Sequence, residues 1–488
     1  MIDNDGSRLR LPAAGELVVA AGAGVTGLPV VRYLAGIGAR VVVSSNRPAP
    51  AGLSTIAGDV TFAGDLRAPA DGTGMVITSA GIPPQHPLLA SAVHAGIEVI
   101  GEAELAWRID RAGDENACAA GTDGLLPGRV RAGPRPWLVV TGTNGKTTTV
   151  GMLEAMLQAA GWNITACGNV GWPVLEAVLA GSADGTDQPA QEFIVAELSS
   201  FQLRYAPSIR PHAGLVLNLA QDHLDWHGSM DAYAAAKAVA LTGDIAAAVV
   251  DDPGAAALLG ESPAAQRIGV TVGVPRDGQL GVVDGRVVDR AFGRGELFPA
   301  SVVRRLGDHH LTNSVSAAAL ALSVGVTPLV IEQALAGFRP GAHRHQPVGE
   351  VGEVVYINDS KATNPHAAAA SLLAHRRVVW IAGGQLKGSS VDELVLASAD
   401  RLAGVVLLGI DAPVIEDALA RHAPDVPRIM VARNDDGAMD EAVRAASTLA
   451  APGTVVLLAP AAASLDMFSS YAARGEAFAH AVAALDRP

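Results

Sequence analysis

The sequence predicts an α/β fold made of three units in series. Its 488 residues allow roughly three domains of about 150 residues each. Short apolar strands alternate with helical stretches, and two of the strands run directly into glycine loops that open helices. Hydrophobic residues make up 49% of the chain and aromatic residues only 4%. The cores are therefore expected to consist of aliphatic side chains and alanine, as in helix-on-sheet layers.

Composition excludes several classes of protein. A net charge of −14 argues against general nucleic-acid binding, although a few placed cations can still hold a small anion. The two cysteines, Cys118 and Cys167, cannot form a disulfide framework. No apolar run reaches about 18 residues, so no membrane insertion is expected. Residues 17–25 do not fit a signal peptide, since acidic rather than basic residues precede them. We expect a cytoplasmic protein.

The first unit begins as a Rossmann-like βαβ segment. A strand is predicted at 17–21, a glycine loop at 22–27, a helix at 28–35 and a second strand at 40–43. Residues 75–79 and 98–100 are expected to add strands to this sheet. A dinucleotide site usually has an acidic residue at the end of the second strand, whereas this chain has Ser44 there, which disfavours NAD. The pyrophosphate of another nucleotide and a ligand-free turn both remain open.

The second unit follows a segment at 111–135 that lacks periodicity and is interpreted as a linker or surface insertion. A strand at 137–141, a glycine loop at 142–146 and a helix at 147–160 form a phosphate-loop arrangement. Lys146 can reach the β- and γ-phosphates, and the Thr147 hydroxyl can ligate Mg²⁺. The loop is shorter than the standard Walker pattern, so an ordinary glycine turn is the alternative.

Three further side chains in this unit are candidates for metal chemistry. Glu197 follows a strand predicted at 193–196, a position that suits a Mg²⁺ ligand beside a phosphate loop. His223 follows another predicted strand, at 215–218, and can ligate a metal or hold a carboxylate. Lys237 lies on an alanine-rich helix. It is either an exposed charge or, if buried, an amine that reacts with CO₂ to give a carbamate ligand.

The third unit concentrates cations and hydroxyls in loops between predicted strands at 378–382, 405–408 and 454–458. Each of these loops alone resembles an ordinary turn or cap. Together they suit a dicarboxylate substrate and ATP phosphates. The loop residues are 343–344, 358–364, 383–387 and 463–466.

These motifs together resemble the Mur ligase family over nearly the whole chain. The glycine loop at 141–148 is typical of the family, and the runs at 197–203 and 358–364 are more specific. They are most similar to those of the members that add D-glutamate to UDP-N-acetylmuramoyl-L-alanine. The Asp-Asn-Pro-Arg signature of the members that add diaminopimelate or lysine is absent from the sequence.

The resemblance implies an ATP-dependent, ADP-forming amide ligase that works through an acyl phosphate in peptidoglycan precursor synthesis. It implies a Rossmann-like UDP-substrate domain at 1–110, the 111–135 insertion, a P-loop ATPase-type domain at 136–339 and a Rossmann-like amino-acid domain at 340–488. It also implies ATP, two Mg²⁺ ions, a carbamylated Lys237, UDP-N-acetylmuramoyl-L-alanine and D-glutamate as ligands or modifications. We expect a monomer.

The resemblance also assigns residues to each site. The ATP site would comprise Gly142, Thr143, Asn144, Gly145, Lys146, Thr147, Thr148, Asn313, Arg344 and Asp359. The UDP-substrate site would comprise Gly24, Val25, Thr26, Gly27, Ser44, Ser79, Asn169 and His223. D-Glutamate would contact Lys361, Thr363, Lys387, Ser464 and Tyr471. The metal ligands would be Thr147, Glu197, His223 and Lys237. The catalytic residues would be Lys146, Glu197, His223 and Lys237. The chain departs from the family pattern at Ser44, His310, Gln346, Gln385 and Tyr471.

Three other functions compete with this one. Another Mur-type or folylpoly-γ-glutamate ligase would use a different acceptor, which a substrate panel detects. A nicotinamide-dependent dehydrogenase would explain residues 22–27 but would leave Lys146 and the run at 358–364 without a role. A nucleotide-switched binding protein would bind ATP and form no amide.

Overall fold

The computed structural model describes residues 9–50, 52–112, 134–180, 190–304, 309–339, 341–433, 435 and 437–485. Its helices and sheets confirm the predicted α/β fold class. The described residues form two compact units, one that contains residues 339 onward together with 220–225 and 309, and another that contains the other residues before 339. No helix within the described ranges is long and apolar enough to cross a membrane.

The first sheet has five parallel strands in the order β3-β2-β1-β4-β5. Its strands and the helices that accompany them are β1 (Leu17–Ala21), α1 (Gly27–Gly36), β2 (Arg40–Ser44), β3 (Val60–Gly64), β4 (Thr73–Thr78), α2 (Pro87–His94), β5 (Glu98–Gly101) and α3 (Glu102–Ala112). The reversal of strand order beside β1 makes a crevice at the carboxyl ends of β1 and β4, where α/β sheets hold their ligands.

The second sheet has nine strands in the order β14-β13-β12-β11-β10-β9-β6-β8-β7. Its elements are β6 (Trp137–Thr141), α4 (Lys146–Ala159), β7 (Cys167–Gly168), α5 (Val174–Leu179), β8 (Ile194–Glu197), α6 (Ser200–Arg204), β9 (Ala213–Val216), α7 (Leu224–His227), α8 (Met230–Ala238), β10 (Ile245–Val249), α9 (Pro253–Glu261), β11 (Gln266–Val270), β12 (Gln279–Val283), β13 (Arg286–Asp289), β14 (Gly295–Pro299), α10 (Ser301–Arg304), α11 (His309–Ser323) and α12 (Pro328–Gly337). The strands are parallel except for the antiparallel pairs that β13 makes with β12 and β14.

The first two sheets share a hydrophobic core, which explains why they form one compact unit. Trp107 of α3 packs edge-to-face on Trp137 of β6, with ring centroids 5.2 Å apart. The Asp110 carboxylate accepts a hydrogen bond from the Trp137 indole at 3.0 Å and forms an ion pair with Arg135 at 2.7 Å. Asp110 and Trp137 flank the predicted 111–135 insertion and Arg135 is its last residue; most of the insertion (113–133) lies outside the described residues.

The third sheet has six strands in the order β15-β16-β20-β17-β18-β19. Its elements are β15 (Gln346–Val351), β16 (Val354–Asn358), α13 (Pro365–Leu373), β17 (Val378–Gly383), α14 (Asp392–Ser398), β18 (Leu402–Leu408), α15 (Ala412–His422), β19 (Arg428–Met430), α16 (Ala438–Leu449), β20 (Val455–Leu458) and α17 (Tyr471–Leu485). Only β15 runs antiparallel, at the edge. The carboxyl ends of β16, β20 and β17 therefore bring three polar loops to one edge of the sheet.

Candidate functional site

The central glycine loop joins the end of β6 to the start of α4. Gly145 is the N-cap residue of α4, with a φ of 83° that glycine adopts at little cost. A Cβ at this position would lie 2.7 Å from Oδ1 of Asn313, which comes from α11. The same Oδ1 accepts a hydrogen bond from the Thr149 hydroxyl at 3.3 Å. The backbone N–H groups of the first turn of α4 are thereby directed to a position where an anion can bind.

Lys146 and Asn218 hold this loop from two sides. Nζ of Lys146 donates to the carbonyl oxygens of Gly142 and Thr143, both at 2.9 Å. Oδ1 of Asn218 accepts the N–H of Asn144 at 2.8 Å, and its carbonyl accepts the N–H of Thr143 at 3.0 Å. Asn218 has no predicted role, although its position at the end of the strand predicted at 215–218 is a signal that could have found it. The other residues of the predicted ATP site in this unit lie in the first turn of α4, namely Thr147 and Thr148.

Glu197 and Asn169, which lie 28 positions apart in the sequence, meet at the end of β8. Glu197 is 2% exposed, and its Oε1 accepts a hydrogen bond from Nδ2 of Asn169 at 2.9 Å. The N–H of Asn169 also donates to the Glu197 carbonyl at 2.7 Å. Oε2 of Glu197 has no hydrogen-bond partner among the described residues. A buried carboxylate oxygen without a partner fits a cation ligand, so these residues are compatible with Mg²⁺.

Lys237 of α8 is buried beside the same glycine loop. It is 1% exposed, and its Nζ donates to the Gly142 carbonyl at 2.8 Å. The ammonium group also lies 4.5 Å from the ring centroid of Tyr233, one turn earlier on the helix. The Tyr233 hydroxyl in turn hydrogen-bonds the Thr143 hydroxyl at 2.9 Å. The alternative of an exposed charge on α8 is therefore wrong for Lys237.

His223 lies in the segment 220–225, which belongs to the second compact unit. Its φ is 54°, and its Nε2 lies 3.6 Å from an oxygen of the neighbouring Asp222. Within the described ranges, no group of three or more histidine, cysteine, aspartate and glutamate side chains is arranged to hold a metal ion.

The crevice of the first sheet contains the other glycine loop. The Gly22 N–H donates to the Ser44 carbonyl at 2.7 Å, and the Ser44 hydroxyl accepts the N–H of Leu66 at 3.0 Å. Val25 is 79% exposed at the tip of the loop. Ser79 follows β4, and its buried Oγ has no hydrogen-bond partner among the described residues. The remaining residues of the predicted UDP-substrate loop are Gly24, Thr26 and Gly27, the last of which begins α1.

Asp359 follows β16 in the second compact unit. Its carboxylate hydrogen-bonds the Ser371 hydroxyl and accepts the N–H of His345 at 3.2 Å. Burial raises the pKa of Asp359, and the charge of Arg344 opposes that rise. Asp359 and Arg344, both predicted to contact ATP, thus interact within this unit.

Predicted D-glutamate residues come together in the same unit. Nζ of Lys361 lies 4.0 Å from the centroid of the Tyr471 ring. Lys387 has a φ of 53°, and Ser464 is buried in the loop after β20. The loops after β17 and β20 are joined by a bridge between Gln385 and Ala463. Thr363 lies in the loop after β16.

Arg474 of α17 holds these loops and has no predicted role. It is 1% exposed, and its Nε donates to the Ser360 hydroxyl at 3.0 Å. Its two terminal nitrogens donate to the carbonyl oxygens of Ser360, Gly383 and Ala462 at 2.9–3.3 Å. An arginine on a helix gives no local signal of such a role, because its acceptors are backbone atoms of three distant segments.

Comparison with family models finds three matches in chain order. The Mur ligase MurD-like N-terminal domain matches residues 16–101. The Mur ligase middle domain matches residues 140–321. The Mur ligase glutamate ligase domain matches residues 343–462.

The chain is also similar to whole proteins. Two of its relatives are named UDP-N-acetylmuramoylalanine--D-glutamate ligase. The protein from Nocardia farcinica is 47% identical, and the alignment covers 97% of each chain. The protein from Mycolicibacterium smegmatis is 48% identical, and the alignment covers 96% of this chain and 97% of the other. Among solved structures, UDP-N-acetylmuramate-alanine ligase MurC from Thermotoga maritima matches with a TM-score of 0.52 at 15% identity, over 96% of this chain and 100% of that one. MurF ligase from Thermotoga maritima in complex with ADP also matches with a TM-score of 0.52. It is 16% identical, and the match covers 96% of this chain and 94% of that one. At such identities the structures support the fold alone.

Proposed function

The chain belongs to the Mur ligase family, and we propose that it joins D-glutamate to UDP-N-acetylmuramoyl-L-alanine with conversion of ATP to ADP and phosphate. The observation that carries this proposal is the 47–48% identity, over nearly the full length of both chains, to ligases named for that reaction. The product is a precursor of peptidoglycan. The two cysteines, Cys118 and Cys167, suit the reducing cytoplasm as the compartment. We also propose a monomer.

The reaction forms an amide through an acyl phosphate. A carboxylate oxygen of the alanyl group attacks the γ-phosphorus, and the bond to the β-phosphate oxygen breaks, so that ADP leaves. The D-glutamate amine then attacks the acyl carbon, and phosphate leaves with the bonding electron pair as the amine loses a proton. Lys146 and the N–H groups at the start of α4 bind the phosphates. Their action is positioning and electrostatic stabilisation.

Glu197, Thr147, Lys237 and His223 are the proposed ligands of two Mg²⁺ ions. The partner-free Oε2 of Glu197 supports the first site. When bound, the ions neutralise charge that develops on the transferred phosphoryl group. Asn169 keeps the Glu197 carboxylate in place through the bond to its Oε1. Thr147, at the second position of α4, supplies a hydroxyl from the glycine loop side.

We propose that Lys237 carries a carbamate. Its burial disfavours the charged ammonium, and the neutral amine is the form that attacks the carbon of CO₂ and then loses a proton. An NMR spectrum of the protein in ¹³C-bicarbonate should show a carbamate carbon signal that is absent from Lys237→Arg. An identical signal in both proteins would place the carbamate elsewhere, and no signal in the wild type would contradict the modification.

The three domains are proposed to divide the substrates. Residues 1–110 would take the UDP moiety, 136–339 would take ATP, and 340–488 would take D-glutamate. In the last of these, Lys361 and Lys387 offer cations and Ser464 a hydroxyl for the two carboxylates of D-glutamate.

A product assay tests the proposed reaction. ADP release should require both UDP-N-acetylmuramoyl-L-alanine and D-glutamate, and mass spectrometry should find a product heavier by one glutamyl residue. L-Glutamate is the matched control, since it differs only in configuration and should give no product. ADP release that depends on another amino acid, with no response to D-glutamate, would contradict the proposal. It would favour a ligase with a different acceptor.

A further inference from the structure

Three side chains without a predicted role form a series of hydrogen bonds that ends on the carboxylate of Asp359. Ser371 of α13, which is 3% exposed, bonds Oδ2 of Asp359 through its hydroxyl. Nδ1 of His345 lies 3.2 Å from the same hydroxyl, and Nε2 of His345 lies 3.0 Å from Nε2 of His375. The two imidazole rings are parallel to within 4°. We call Asp359, Ser371, His345 and His375 the Asp359 network.

The donors and acceptors of the Asp359 network can be assigned in one consistent direction. An ionised carboxylate only accepts hydrogen bonds, so the single hydroxyl proton of Ser371 points to Asp359. The Ser371 oxygen then accepts from Nδ1–H of His345, and the Nε2 of neutral His345 is left as an acceptor. His375 must therefore donate from its own Nε2–H. Burial lowers the pKa of His375, which favours the neutral ring that this pattern uses.

The backbone of His345 supports the same carboxylate. Its N–H donates to Oδ1 of Asp359 at 3.2 Å, and its φ is 50°. A residue with a side chain disfavours this conformation, which persists only where surrounding contacts hold it. Both oxygens of Asp359 are therefore engaged, one by the backbone of His345 and one by Ser371. Each oxygen keeps a second lone pair that can accept from a ligand.

The far end of the Asp359 network is also fixed. The carbonyl oxygen of His375 accepts a hydrogen bond from the Arg401 guanidinium at 2.8 Å, and its N–H donates to the Leu372 carbonyl at 3.2 Å. His375 is thus tied by its backbone to the last turn of α13 and to a residue beyond α14. Its ring is held where it can donate to His345.

We propose that Ser371 and His345 are positioning residues for ATP, which fix the carboxylate of Asp359, and that His375 keeps His345 in the tautomer that donates to Ser371. This inference rests on the proposed function and on the predicted contact of Asp359 with ATP. The groups of ATP that can donate to a carboxylate are its ribose hydroxyls and its adenine amino group. Such a bond depends on the direction of the lone pairs, which the two donors to Asp359 set.

Ser371→Ala tests this positioning in the full chain. ADP release is measured against ATP concentration with UDP-N-acetylmuramoyl-L-alanine and D-glutamate saturating. The KM for ATP should rise about 10-fold, because a hydrogen bond to a charged acceptor is lost, and kcat should stay within about 2-fold. Ser398→Ala is the matched control, since Ser398 is also a buried helix serine but donates to Leu394 of its own helix. It should keep the wild-type KM.

A double-mutant cycle shows whether Ser371 acts through Asp359. Asp359→Asn should itself raise the KM for ATP. In that background, adding Ser371→Ala should change the KM by less than about 2-fold, because the carboxylate that Ser371 positions is already gone. A purely structural role of Ser371 would instead lower the fraction of active protein, and hence kcat, without this coupling.

Two variants of His375 test the direction of the hydrogen bonds. His375→Leu removes the donor to His345, so His345 can adopt the other tautomer and draw the Ser371 proton away from Asp359. The KM for ATP should rise about 3-fold. His375→Gln offers an amide N–H close to the place of the Nε2–H, so it should restore the wild-type KM.

The outcomes distinguish this inference from the proposed function. An unchanged KM in Ser371→Ala, with a raised KM in Asp359→Asn, would overturn the positioning and leave the ATP contact intact. Equal effects of Ser371→Ala with and without Asp359→Asn would do the same. An unchanged KM in Asp359→Asn would overturn the ATP contact and the inference with it. Wild-type protein that releases no ADP with both substrates would overturn the proposed function and this inference together. Should Ser371→Ala fail to fold, a wild-type KM in His375→Leu would overturn the inference.

Discussion

The buried guanidinium of Arg474 is expected to stabilise the third sheet and to hold the loops proposed for D-glutamate. It donates five hydrogen bonds, which join Ser360, Gly383 and Ala462 across the ends of β16, β17 and β20. Replacing Arg474 by methionine keeps an apolar stem of similar length and removes every donor. Arg474→Lys is the matched variant, because it keeps the charge and offers three N–H groups in a compact head.

The loss of stability on replacing Arg474 is the difference between what its hydrogen bonds contribute and what burial of its charge costs. A hydrogen bond from a charged donor contributes about 1.5–3 kcal/mol, so five at the low end contribute about 7 kcal/mol. Burial lowers the pKa of Arg474 to about 10, which means that the folded state holds the charge at a cost of about 3 kcal/mol. We therefore expect the free energy of unfolding to fall by about 4 kcal/mol in Arg474→Met and by about 2 kcal/mol in Arg474→Lys.

Urea unfolding followed by circular dichroism measures the change in the free energy of unfolding. Hydrogen exchange on peptides covering 358–364, 381–387 and 459–464 shows where the change occurs. The KM for D-glutamate should rise in Arg474→Lys, while the KM for ATP should move less. The free energy of unfolding of Arg474→Met could instead lie within about 1 kcal/mol of the wild-type value, with hydrogen exchange in these loops unchanged. In that case other contacts hold the loops and the reasoning fails.

Three smaller predictions follow from single contacts. Gly22→Ala should raise the KM for the UDP substrate, because Gly22 has a φ of 95° and a Cβ there would overlap both Oγ and Cβ of Ser79, so that adding Ser79→Ala should not restore it. Tyr233→Phe removes the hydroxyl bonded to Thr143 and should lower kcat about 10-fold while costing about 1 kcal/mol in urea unfolding. Ser199→Ala removes a capping box at the start of α6 and should cost about 1 kcal/mol in urea unfolding with little change in kcat.

The fold was most predictable where a strand and its following loop carry their own signals. The predicted strand at 137–141 coincides with β6, and the helices after both glycine loops begin within one residue of the predicted positions. The strand Val60–Gly64 was not predicted, because its residues alternate between partly buried and exposed and form no apolar run. The antiparallel strands β13 and β14 were likewise missed, since their pairing depends on contacts across a turn.

The sequence predicted which site residues lie at the ends of strands. It did not predict which of those residues contact one another. Placing Glu197 and the 22–27 loop after strands needs only the local pattern. The bond between Asn169 and Glu197 and the role of Arg474 join segments far apart in the chain. Such long-range contacts have no signature in one stretch of sequence.

Positive side chains at the loops of the third sheet can attract a dicarboxylate to a protein whose overall charge is negative. A chain with a net charge of −14 repels a dicarboxylate at long range, so binding depends on cations placed nearby. Lys361 and Lys387 are two cations proposed for that role. Arg474 adds a third positive charge behind the loops; its hydrogen bonds run to carbonyl and hydroxyl oxygens, and the carboxylate of Asp466 offsets part of its charge. Its cost of burial is therefore consistent with two roles, holding the loops together and attracting the carboxylates. Arg474→Lys, which keeps the charge but loses bonds, separates the two roles.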